Sequence, residues 1–249
     1  METTVIRYVE RPGLWETMPD VGREVWPEYN RHGDVLNRFW RRLPEEFPGY
    51  QFALYDKLEG DLLGLGHTVP CAWDGTVDGL GEGIDEMIVA AFKASDSRGA
   101  ATALCALAAE IRPRYQGHGL AGRMLDAMAQ IARDSGLGHL IAPVRPSLKE
   151  RYPLIAIDRY VRWRTDDGEP FDPWIRTHTR RGGHVVKPIE RSLQITGAIQ
   201  EWEAWTGMRF PEDGTYTFPH GLAPLTISHE QNLGSYWEPN VWIIHPIAG

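Results

Sequence analysis

The sequence predicts a mixed α/β fold, with a central sheet of parallel and antiparallel strands flanked by helices. Three observations predict it. An apolar run over 102–111 leads through a turn carrying Gly117 and Gly119 into a helix-patterned segment, 119–134. A second apolar run, 139–144, follows that helix, and a strand–helix–strand order of this length places its two strands parallel. Upstream, 51–55 and 62–70 flank a Gly60-Asp61 turn and read as an antiparallel hairpin.

The remaining elements follow in chain order. Residues 5–9 read as a short strand. The aromatic and charged stretch 14–43, broken by Pro19 and Pro27, is expected to hold two helices. The glycine-rich segment 74–83 is a loop, and 84–94 is a short helix. In 119–134, Leu120, Ala121, Met124, Leu125, Met128, Ile131 and Ala132 share one face, and Ser135-Gly136 supplies a stop. Short helices are expected at 157–164 and at 173–181, the latter ended by Gly182-Gly183. Strands are expected at 184–187 and 191–196, and a helix with Trp202 and Trp205 at 198–206. The chain closes on a Gly- and Pro-rich stretch ending in the apolar residues 241–244. No linker-like composition separates its parts. Residues 1–187 therefore read as one domain, with 188–249 an extension packed on the same core.

Composition narrows the function. The 249 residues carry 26 Lys and Arg against 34 Asp and Glu, a net charge of −8. That balance argues against nucleic acid as a partner. Two cysteines, Cys71 and Cys105, make no disulfide framework and suit a reducing compartment. The Met-Glu-Thr-Thr start lacks a signal-peptide pattern, and no apolar run is long enough to span a membrane, so a cytoplasmic protein without a membrane partner is expected. The nine histidines are scattered without H-E-x-x-H, and there is no C-x-x-C, so no metal is expected.

The turn at 116–121 is the strongest functional signal. Backbone N–H groups and the positive end of a helix dipole converge there, which suits a phosphate. A nucleotide P-loop needs Lys-Ser or Lys-Thr after its glycines, and neither occurs. Gly117-His118-Gly119-Leu120-Ala121-Gly122 matches G-x-G-x-x-G, but no acidic residue closes a following strand about 20 positions on. The third reading is Gln116-x-x-Gly119-x-Ala121, preceded by a strand, Pro113 and Tyr115, and followed by Met124-Leu125. This arrangement resembles the Q/R-x-x-G-x-G/A acyl-CoA loop of the GNAT (GCN5-related) N-acetyltransferase superfamily, and the resemblance covers 51–186.

The resemblance implies a GNAT fold and an enzyme that moves an acyl group from acetyl-CoA or another acyl-CoA to an amine. It places CoA against Ile111, Gln116, Gly117, His118, Gly119, Leu120 and Ala121. It also implies that a main-chain N–H within 109–111 polarises the thioester carbonyl. Glu110, near the strand end, is a candidate base, or else a salt-bridge partner of Arg112 or Arg114. His178 stands four residues before Gly182, where GNAT enzymes often hold a thiolate-protonating Tyr before a Gly-Phe pair. Here His replaces Tyr and Gly183 replaces Phe. Tyr160 is the second candidate acid. Arg145 and Lys149, after the strand at 139–144, are candidates for holding an acidic acceptor or a CoA phosphate. Trp15, Trp26, Trp40 and Trp73 are candidates for the acceptor wall. The acceptor is expected to be a small-molecule or peptide amine, and a homodimer is compatible with the sequence. Two alternatives stand beside this reading: a non-catalytic acyl-CoA-binding regulatory module, and a GNAT-fold enzyme with O-acyl transfer or decarboxylase chemistry.

Overall fold

The computed structural model describes residues 2–96 and 100–247. The described strands are β1 (Thr3–Arg7), β2 (Gln51–Asp56), β3 (Leu62–Cys71), β4 (Ala103–Ile111), β5 (His139–Val144), β6 (His184–Gly197), β7 (Gly214–Tyr216), β8 (Leu225–Ser228) and β9 (Leu233–Pro246). They form one mixed sheet in the order β1-β2-β3-β4-β5-β9-β8-β7, with β6 also paired to β9. Only β4 and β5 pair in parallel; the other described pairings are antiparallel.

Alternation along the strands sorts the core onto two faces. Leu104 and Leu140 pack with Phe52, Leu54 and Leu63 under α6 (Leu120–Asp134), whose Met124, Leu125, Met128 and Ile131 face the sheet. Cys105 and Ile141, one residue on, join Val69, Trp242 and the α5 (Ile84–Asp96) residues Met87, Ile88 and Phe92 on the other face. Ser135 and Gly136 (φ +68°) end α6 as the sequence suggests.

Several elements differ from the sequence reading. Instead of two helices, 14–43 contains α1 (Pro12–Thr17), α2 (Val21–Val25), α3 (Leu36–Trp40), the start of α4 (Leu43–Glu46) and a 3-10 segment at Glu28–His32. Pro19 and Pro27 divide them, since proline supplies no helical N–H. The helix expected at 157–164 is only α7 (Ile157–Tyr160). It is followed by α8 (Pro173–Thr179), capped by the Asp172 carboxylate, which accepts from the N–H groups of Trp174 and Ile175. The two strands expected at 184–187 and 191–196 are one, β6. Register shifts at Val185/Lys187 and Ile189/Leu193 interrupt its alternation, which is why it reads as two. The short strands β7 and β8 have no counterpart in the sequence reading.

The division at 187/188 falls inside β6. Beyond it, β9 lies directly against β5, and α9 (Ile199–Thr206) seats Trp202 in the large core. Trp202 is fully buried, packs on Tyr29, Phe218 and Tyr236, and donates from Nε1 to the Gly234 carbonyl at 3.0 Å. Residues 198–247 thus complete the sheet that carries the N-terminal half. Truncation after Lys187 is expected to leave a chain without cooperative thermal unfolding. Trp202→Ala in the full chain should cost about 3–5 kcal/mol in urea denaturation. A truncated chain that melts at the full-length midpoint would show two independent units.

Candidate active site

The site begins where β4 and β5 part. They pair over only three positions, Ala103–His139, Leu104–Leu140 and Cys105–Ile141. The Gly138 carbonyl accepts from the Ile247 N–H, which fixes the alternation along β5: residues 138, 140, 142 and 144 turn their polar backbone toward β9. Residues 139, 141 and 143 therefore turn toward β4. Position 143 is proline, so the next donor that would zip the strands together is missing. On the other side, β4 carries an extra residue, Leu107, opposite the His67/Thr68 step of β3. The strands splay, and a cleft of about 1520 Å³ opens between them.

The backbone of β4 lines this cleft with donors. Arg112 N–H donates to the Leu63 carbonyl, so alternate residues Ile111 and Ala109 turn their N–H groups into the gap. The Ile111 carbonyl faces the same way and accepts from Gln116 Nε2 at 3.0 Å. That bond ties the phosphate-type loop to the strand end. Gly117 and Gly119 have φ of +81° and +74°, and Gly119 caps α6 in the left-handed region. The space where their Cβ atoms would stand is open. Ile111, Gln116, Gly117, Gly119, Leu120 and Ala121 all border the cleft. His118 is not among the lining residues; its Nδ1 lies 3.0 Å from the Gln116 carbonyl.

Glu110 is buried, and its carboxylate borders the cleft. It bonds neither Arg112 nor Arg114. Arg112 pairs with Glu24 at 2.8 Å, and Arg114 reaches Asp61 at 4.0 Å. Glu110 Oε1 instead accepts from the Trp26 indole N–H at 2.6 Å, and Oε2 faces His67 Nε2 at 3.7 Å. Gly22 brings α2 close: a Cβ there would lie 3.4 Å from Glu110 Oε1.

His178 lines the cleft from α8 and is about 1% exposed. Its Nδ1 lies 2.9 Å from His245 Nε2, its ring meets Trp174 edge-on, and its own Nε2 has no partner among the described residues. Burial, His245 and Arg181 push its pKa well below the ordinary value, so it is neutral at pH 7. A neutral imidazole offers one N–H and no excess proton. Tyr160 is not a cleft residue. Its buried hydroxyl donates to Asp172 Oδ2 at 2.9 Å, and burial beside that carboxylate raises its pKa.

Arg145 and Lys149 are not free for a ligand. Arg145 donates from Nε to Glu238 Oε1 at 3.0 Å and bonds the Tyr29 hydroxyl and the His220 carbonyl. The buried Lys149 ammonium donates to the carbonyls of Tyr152 and Leu222, and burial lowers its pKa to about 8. Of the four tryptophans, Trp26 and Trp40 line the cleft, Trp15 borders a smaller neighbouring cavity, and Trp73 is core. The sequence reading missed His67 and Gln51, which sit on the hairpin behind Glu110. No motif marks them, and only the register of β2, β3 and β4 brings them together.

The chain matches no family model. It is 27% identical to the arginine N-acetyltransferase avaD of Aspergillus versicolor over 266 aligned residues, 95% of this chain and 91% of the relative. Among solved structures, the loading GNATL domain of CurA from Lyngbya majuscula superposes with a TM-score of 0.62 at 17% identity, over 99% of this chain and 98% of that one. The GphF GNAT-like decarboxylase in complex with isobutyryl-CoA gives 0.59 at 15% identity over the whole of both chains. The chain shares the fold of the GNAT superfamily. Its splayed strands, loop and flanking helices are those of a GNAT fold, and no group of three or more His, Cys, Asp or Glu suited to a metal occurs among the described residues. Nor is any described helix long and apolar enough to cross a membrane.

The two buried imidazoles of this GNAT fold give it a pH signature. The folded-state pKa values of His178 and His245 lie below the ordinary 6.5, so the unfolded chain binds protons first as pH falls. Stability is full above pH 6.5 and declines below it, by at most about 1.4 kcal/mol per pH unit for each group. Urea denaturation between pH 7 and 5 should show this slope, and His178→Gln should flatten it. An equal acid slope in the variant would remove His178 from the account.

Proposed function

We propose that this protein transfers an acyl group from acyl-CoA, acetyl-CoA first among them, to the nitrogen of a small-molecule or peptide amine in the cytoplasm. One observation carries the reading. A buried carboxylate, Glu110, and two inward-facing backbone N–H groups, of Ala109 and Ile111, come from consecutive residues of one strand and border one cleft. Acyl transfer to an amine needs both, an acceptor for the ammonium proton and donors for the developing oxyanion.

The loop 116–121 suits the pyrophosphate of CoA. It offers backbone N–H groups, a helix N-terminus and the clear approach left by two glycines. The pantetheine arm then enters between β4 and β5, and its carbonyl meets the N–H groups that no β5 partner occupies. His178 turns the ring nitrogen left without a protein partner, Nε2, toward the space the departing sulfur would occupy, and donates to it in the tautomer that carries the hydrogen there. The acceptor approaches from the side of Trp26 and Trp40. Glu110 also favours this reading over thioester decarboxylation, because a carboxylate base repels a malonyl carboxylate and does nothing for loss of carbon dioxide. The name of the relative makes L-arginine the first acceptor to try.

Thiol release from acetyl-CoA across a panel of amines that includes L-arginine tests the proposal. Malonyl-CoA without amine is the arm for decarboxylation. Turnover of malonyl-CoA alone, with no amine acetylated, would overturn the reading, and tight CoA binding with no turnover would make the protein a binding module. Gly119→Asp keeps a residue type that tolerates positive φ but sets an anion at the phosphate. Calorimetry should show at least about a tenfold loss of CoA affinity with an unchanged melting temperature. His178→Ala should lower kcat and kcat/KM together, because the bond to sulfur forms only as the thiolate leaves.

A further inference from the structure

Glu110 has two sides. It borders the large cleft, and it also borders a second cavity of about 270 Å³ beside β3, lined by Trp15, Met18, Asp20, Trp40 and His67. His67 lines that second cavity beside the carboxylate and is not a residue of the large cleft.

The protonation of His67 follows from its neighbour. Gln51 is fully buried and donates from Nε2 to two carbonyls, Phe47 at 3.2 Å and Thr68 at 2.7 Å. Both amide hydrogens are spent, so Gln51 Oε1 accepts. The partner of that oxygen is His67 Nδ1 at 3.1 Å, which must carry the hydrogen. In a neutral ring Nε2 then holds the lone pair, and it points at Glu110 Oε2, 3.7 Å away. The other oxygen of Glu110 is held by the Trp26 N–H, so the carboxylate cannot turn from the imidazole without losing that bond.

We propose that Gln51, His67 and Glu110 form a relay that takes the acceptor's proton out of the cleft and releases it into the second cavity. This rests on the acyltransferase reading above. The proton count requires such an exit: an ammonium and a thioester give an amide, a thiol and one proton. Glu110 takes a proton from the ammonium, and its proton passes to His67 Nε2. Gln51 holds Nδ1–H throughout, so the imidazolium releases the Nε2 proton to water. The amine lone pair then forms the C–N bond as the C–S bond breaks, and the second nitrogen proton balances the thiolate. Gln51 is a positioning residue, setting the tautomer that makes Nε2 an acceptor. Around the relay, Asp20 is the other charged group lining the second cavity, paired with Arg31 at 3.3 Å, while Trp40 packs on the His67 ring.

His67→Gln keeps polarity and size but cannot carry the charge. With acetyl-CoA and the best amine of the panel, kcat at pH 7 should fall about tenfold or more, below the 10²–10⁴ expected for Glu110→Gln. KM for acetyl-CoA should not change, because His67 lies outside the cleft. The deficit should shrink toward pH 9, as the free amine needs no base. Imidazole added to His67→Ala should restore part of the rate. A His67→Gln enzyme matching the parent across this pH range overturns the relay. Nitrogen-15 NMR of histidine-labelled protein tests the dyad without turnover: His67 should be the Nδ1–H tautomer, and Glu110→Gln should move its Nε2 resonance. An Nε2–H tautomer, or an unmoved Nε2 resonance, also overturns it. Failure of the parent enzyme to acylate any amine would overturn the acyltransferase reading instead, with the NMR result still deciding the dyad.

Discussion

The constraint on which the rest depends is the failure of β4 and β5 to stay paired. A central strand pair that separates leaves backbone donors unsatisfied, and buried unpaired donors are costly. This chain limits the cost from both sides. Pro143 has no N–H to strand on the β5 side, and the Gln116 amide satisfies the Ile111 carbonyl on the β4 side. What remains is a short row of N–H groups turned to the side where the β5 ladder has ended, at Ala109 and Ile111. Those are the groups a thioester oxygen can satisfy. The same break in the ladder creates the space for a ligand and supplies the bonds that hold it.

The second half of the chain keeps that break open. β9 pairs with β5 over six positions on the edge away from the cleft, so β5 is anchored although it has let go of β4. A buried network pins the far end. Glu238, on β9, accepts from Arg145, Asn30 and Tyr29, drawing in the loop after β5, the N-terminal segment and the C-terminal strand. A half-buried ion pair of this kind adds little net stability, because desolvation offsets much of the attraction. Its contribution is to fix the position of β5 relative to the N-terminal segment that carries Trp26. The placement of Trp26 against Glu110 is thus coupled, through Glu238, to the strand that opens the cleft.

How much of this was legible depended on range. The loop at 116–121 was legible because its chemistry is local: glycine spacing, a following helix and a preceding strand lie within about 30 consecutive positions, as in the βαβ phosphate-binding units. Glu110 stood out through its place at the strand end, but its partners did not. Arg112 and Arg114 are nearest in sequence, yet β4 ends at Ile111 and the chain carries them to Glu24 and Asp61, while the carboxylate meets Trp26 and His67, 84 positions and a whole hairpin away. Arg145 and Lys149 read as free cations for the same reason, since the groups that consume them, Glu238 and two carbonyls, lie far along the chain or in irregular backbone. β6 was split in two because its register shifts break the period that a sequence reading uses. His178 was found by spacing to a Gly pair. Its neutrality was not, because it arises from burial against His245 at the other end of the chain.

Two histidines flank the reaction space, and their surroundings assign them opposite work. His178 is sealed against Trp174 and His245, where an added charge would be poorly solvated, so it can orient a hydrogen bond and little more. His67 sits beside a carboxylate, with a carbonyl on its other nitrogen and an open cavity behind it, so a positive charge formed there is paired and can discharge to water. Neither role follows from the residue type. The difference lies in what the second ring nitrogen meets: another imidazole in one case, a spent amide in the other. An amide whose hydrogens are both committed can only accept, and that single fact orients the His67 ring toward the carboxylate. Exchanging Gln51 for a residue without that oxygen would therefore alter proton chemistry at Glu110 while touching nothing in the cleft.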